Sequence, residues 1–107
     1  MNIDTPDFQK KLDEGEAGLS QDSRKVLGEL LDKCRATDGK EDEKMMFTHA
    51  AIITVFAWDL EGKHFTADDI YSAFQSQKHF NSIFTSDWYT LKVQETLNSW
   101  AGFGQKF

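Results

Sequence analysis

One cysteine, one proline and a shortage of basic side chains set the first limits on this chain of 107 residues. With Cys34 alone, no intramolecular disulfide can form and a four-cysteine zinc site is excluded. The single proline and seven glycines exclude a collagen-like chain. Long apolar runs are missing too. The richest stretch, 45–58, is broken by Thr48, His49 and Thr54, and it is shorter than the roughly 20 residues that span a bilayer. It reads as a buried core segment, so no membrane association is expected. The opening MNIDTPDFQKKLDEGEAG has neither an apolar h-region nor a small-residue cleavage site, and a reducing, cytoplasmic location is expected. Twelve basic side chains face eighteen acidic ones, for a formal net charge of −6. Binding to nucleic acid rests on Lys and Arg neutralising phosphates, so nucleic acid is not the expected partner.

What is present is an ordinary globular balance, 39% apolar and 28% charged, with aromatics at 13%. Thirteen of the fourteen aromatic residues lie from Phe47 onward, and only Phe8 precedes them. Charge divides the other way. Residues 1–61 hold eight basic and fourteen acidic side chains, and residues 62–107 hold four of each. No Pro-, Gly- or Ser-rich linker separates the acidic front from the aromatic back. The size fits one domain. The sequence therefore predicts a polar N-terminal arm over 1–19, with a short docking helix in it, followed by a single helical domain over 20–107.

The helix signals are local. Thr5 and Pro6 suit an N-cap and first helical position, with Phe8 and Leu12 on one face and Gly15 and Gly18 as stops. Ser20 or Ser23 can cap a second helix to about Arg35, whose stripe is Val26, Leu27, Leu30, Leu31 and Cys34. Cys34 closes that stripe, which predicts a buried, inert thiol. After the turn at 36–40, Glu41, Asp42 and Glu43 form an acidic first turn for a central helix near 44–60 that is apolar nearly all round. Within it, 52–58 would also suit a buried strand, although length and the acidic lead-in favour helix. Gly62 ends this element. Thr66 caps a helix to about Gln77, a further turn or two follows near 79–84, and Thr85 or Ser86 with Asp87 opens a last helix to Trp100. The fold class expected is all-α, a compact bundle of four to six helices.

No pattern of reactive residues rises above this background. His49, His64 and His79 are evenly spaced fifteen apart, but no two of them stand three to five residues apart as in HExxH, so no metal site is expected. The segment around Asp59 and Glu61 has a faint calcium-loop look. With Asp59 at the first loop position, Lys63, His64 and Ile70 fall where a ligand, a glycine and a bidentate glutamate are required. Asp68 and Asp69 suit a helix first turn without any acid–base role. No catalytic residue, metal or cofactor is expected, and the chain is read as non-catalytic.

Helices at 67–77, 79–84 and 86–100 followed by a glycine-broken tail resemble, in element order, a winged-helix domain. That resemblance implies a DNA-binding transcriptional regulator as the alternative function. Its recognition helix would show Asp87, Thr90, Lys92, Gln94, Glu95, Asn98 and Ser99, only one of them basic. The aromatic residues at the end of the chain give the main reading. Trp88, Trp100, Phe103 and Phe107 are hard to bury together in one terminal helix and tail, and aromatics are enriched in protein interfaces. The sequence thus predicts a small acidic regulator, adaptor or inhibitor acting through protein–protein contacts. Its partner would be another protein with a basic surface, or a second copy in a homodimer. Glu41, Asp42, Glu43, Trp88, Trp100, Phe103 and Phe107 are the candidate contacts.

Overall fold

The computed structural model describes residues 6–36, 41–85 and 87–98. Six α-helices run in order: α1 (Pro6–Glu14), α2 (Gln21–Ala36), α3 (Glu41–Glu61), α4 (Ala67–Gln75), α5 (Gln77–Ile83) and α6 (Thr90–Asn98). A 3-10 turn, Gly15–Gly18, links α1 to α2, and there is no strand among the described residues. The all-α bundle expected from the sequence is what forms, and 52–58 is helix within α3.

Side-chain caps set several of the boundaries. The Ser20 hydroxyl accepts from the Ser23 backbone N–H at 3.2 Å and starts α2. Thr66 does the same for Asp69 at 3.1 Å and starts α4. At the end of α3, Gly62 takes φ +74°, the Lys63 N–H bonds the Trp58 carbonyl at 2.9 Å and the Gly62 N–H bonds that of Asp59 at 3.3 Å. This is a Schellman stop, which needs the left-handed backbone that glycine adopts without strain.

The long helix α3 is the axis of the bundle and packs against α1, α2 and α6, while α4 packs on α2 and α5. Ala50, Ala51 and Ala57 on α3 and Ala73 on α4 are fully buried and let neighbouring helices approach closely. Around them the rings interlock. Phe80 stacks on Phe84 at 4.3 Å, Phe84 lies 5.2 Å from Trp58, and Tyr89 is wholly buried beside both. Much of the aromatic excess is therefore core.

Two boundaries differ from the sequence reading. The helix expected to run to Gln77 stops at Gln75, because Ser76 turns extended (φ −144°, ψ 123°) and caps α5 through the His79 N–H. The last helix begins at Thr90 instead of at 85–87. Asp87, Trp88 and Tyr89 form a turn, since each side chain is drawn into a contact with a distant part of the chain. Such contacts override local capping signals.

Two glycines test this account with opposite signs. A Cβ on Gly62 would meet no atom within 4 Å, so Gly62→Ala costs only the left-handed backbone, about 1 kcal/mol. Gly28 lies inside α2 with the same open space, so Gly28→Ala should stabilise by about 0.5–1 kcal/mol. Urea midpoints of the two variants should move in opposite directions.

Candidate partner-binding surface

The residues that gave the calcium-loop look fix three parts of the fold at the end of α3. The Asp59 carboxylate is almost fully buried and accepts from Lys11 at 2.7 Å, the Ser23 hydroxyl at 2.7 Å and the Ser20 backbone N–H at 3.2 Å. Lys11 also donates to the Gly18 carbonyl at 2.9 Å. One carboxylate thus ties α1, the 3-10 turn and the start of α2 to α3. Burial alone would raise its pKa, but the hydrogen bonds from Lys11, Ser23 and Ser20 outweigh that and hold it down to about 2. Two residues on, Glu61 accepts from the Trp88 indole N–H at 2.9 Å. Lys63 donates to Asp87 at 2.5 Å and lies over the Tyr89 ring at 5.8 Å from its centroid. These contacts fix the turn that precedes α6.

Other perturbed groups are equally committed to packing. Burial pushes the Cys34 thiol up to about 11, away from the thiolate that nucleophilic chemistry requires. Burial also raises Tyr89, and the charges of Asp87 and Glu61 add to the effect. Lys33 is raised by its hydrogen bond to Asp68 and by the charge of that carboxylate. His49, His64 and His79 are exposed on α3, on the α3–α4 connection and on α5. No group of three metal-capable side chains assembles among the described residues.

Two open grooves lie among the described residues. The first runs between α1, α3 and α6, with Leu12, Ile52 and Ile53 as its apolar floor and His49, Lys92, Glu95 and Thr96 at its rim. The outward face of α3 extends this floor toward the acidic first turn through Met45, which is 50% exposed. The second groove lies between α2 and the start of α4, with Val26, Phe65 and Ala67 among Asp22, Lys25, Glu29, His64 and Asp69.

Of the residues singled out in the sequence, Glu41 is exposed at the start of α3, with Lys44 at 3.9 Å. Trp88 is half-buried, with its ring edge-on to Phe8 at 5.1 Å and to Tyr89 at 5.3 Å. It therefore helps hold α1 in place. The side chains of Asp42 and Glu43, and the residues Trp100, Phe103 and Phe107, lie outside the described residues. The structure does not bring Glu41 and Trp88 into one site. Sequence reasoning missed Leu12, Ile52, Ile53 and Phe65 as surface residues. For Ile52 and Ile53 the available signal was that α3 is apolar nearly all round, more than its described neighbours cover. Compared with family models, curated proteins and solved structures, the chain matches none of them.

The depressed Asp59 pKa makes the docking of α1 acid-sensitive in a defined direction. A carboxyl lowered from 3.8 to about 2 contributes in full above about pH 4, and its contribution disappears as pH falls through about 2. The ring signals of Phe8 against Trp88, followed by NMR, should stay unchanged from pH 7 to 4 and be lost below that. In a Lys11→Met variant the loss should begin at higher pH.

Proposed function

We propose that this protein is a small acidic regulator, adaptor or inhibitor without catalysis of its own, which works by binding another protein. The observation that carries this reading is the groove between α1, α3 and α6. There Leu12 on α1 and Ile52 and Ile53 on α3, the helix that otherwise forms the core, stay partly exposed, framed by the charged Lys92 and Glu95. An apolar floor with a polar rim is the anatomy of a protein-recognition patch. The groove accepts apolar side chains of a partner, in the manner of an amphipathic helix laid along two others. Glu41, at the α3 end beyond Met45, supplies an acidic margin. With a net charge of −6, the matching partner surface is basic. Trp88 contributes by keeping α1, one wall of the groove, in place. Asp42, Glu43, Trp100, Phe103 and Phe107 remain proposed contacts on the strength of their side-chain chemistry, and a homodimer would use the same apolar surface.

Capture from lysate by the tagged chain, with and without nuclease, tests the reading. One stoichiometric protein should survive nuclease and be lost with Ile52→Glu. Charge reversal at 41–43 or Trp100→Ala should weaken its capture, with the helical circular-dichroism signal unchanged. Retention that vanishes on nuclease treatment would overturn the reading in favour of nucleic acid.

A further inference from the structure

The second groove is separate from the first and has a chemistry of its own. Phe65 is 37% exposed, although its ring lies against Trp58 with centroids 4.7 Å apart. Trp58 is itself buried, so this tilted contact anchors the Phe65 ring while part of the side chain remains open to solvent. Val26 and Ala67 continue the apolar floor. Three carboxylates stand around it: Asp22 and Glu29 from α2 and Asp69 from the first turn of α4. None of the three makes an ion pair among the described residues. Lys25 is the one lysine or arginine in the lining. A partly exposed aromatic ring in a groove lined by three carboxylates complements a planar cation on an aliphatic stem. Arginine can lie over the ring while its N–H groups reach the carboxylates.

We propose that the groove between α2 and the start of α4 binds an arginine-bearing segment of a partner protein, with Phe65 as the platform and Asp22, Glu29 and Asp69 as the charge partners. This rests on the protein-binding reading above and adds to it the chemistry of the partner. The cation is held by charge-assisted hydrogen bonds, so affinity should fall with salt and with loss of either wall of carboxylates.

The test is titration of the full, isotopically labelled chain with a short synthetic peptide that carries arginines on both sides of a leucine, followed by NMR. Amide shifts should concentrate at 22–29 and 63–69. The variant Glu29→Gln/Asp69→Asn, altered only at exposed side chains, should bind roughly 10-fold more weakly, as expected for losing charged contacts. Phe65→Leu should weaken binding as well, Glu41→Gln should leave it unchanged, and a glutamine-for-arginine peptide should not bind. Shifts spread evenly over the acidic surface, equal affinity of the rim variant, or no binding would each overturn the proposal. A captured natural partner that is lost with Ile52→Glu but insensitive to Glu29→Gln/Asp69→Asn would overturn it too, and would leave the protein-binding reading standing. Failure to capture any protein, with the peptide still bound at 22–29 and 63–69, would remove that reading instead.

Discussion

The buried Asp59 carboxylate is the contact on which the arrangement of the outer helices depends. An ionised group removed from water is stable only when it is fully hydrogen-bonded. Here the bonds come from Lys11, Ser20 and Ser23, on three successive segments of the chain. Satisfying one charge therefore fixes the packing of α1, the path of the 3-10 turn and the first turn of α2. The same stretch of backbone continues the work on the other side. Glu61 and Lys63 flank the left-handed Gly62 and engage Trp88, Asp87 and Tyr89, so the turn into α6 is set by the end of α3.

This arrangement links the acidic front of the sequence to the aromatic back. Phe8 belongs to the polar N-terminal segment, yet its ring is buried against Trp88 from the other end of the described fold. The walls of the groove over Ile52 and Ile53 are α1 and α6, and both are held by the end of α3. Its shape is thus a consequence of Asp59, Glu61 and Lys63, although none of them lines it. Alternating charged residues that suggest a cation loop serve here as internal clasps.

Helices were legible where the cause is local. Ser20 and Thr66 cap as their positions suggest, Gly62 stops α3, and the Leu27–Leu30–Cys34 stripe is buried as its spacing requires. The start of α6 was not legible, because Asp87 and Trp88 owe their conformation to Lys63 and Glu61, which lie 24 and 27 residues away. Periodicity alone could not choose between helix and strand at 52–58, although length and the acidic lead-in favoured helix. The choice is decided by the continuity of α3 with its acidic first turn. The candidate surface was only partly legible. Net charge and the exposure of Glu41 could be read directly. Which side of an all-round apolar helix stays uncovered depends on where α1 and α6 settle, and no periodicity encodes that.

Hydrogen exchange of the full chain carrying Asp59→Asn tests the central claim most directly. With the charge removed, amide protection should fall across 6–19 and at the start of α2, while Leu30 and Cys34 in α2 and Ala50 to Val55 in α3 keep theirs. Protection across 6–19 equal to that of the unaltered chain would contradict the claim, and would mean that Phe8 packing alone holds the N-terminal segment in place.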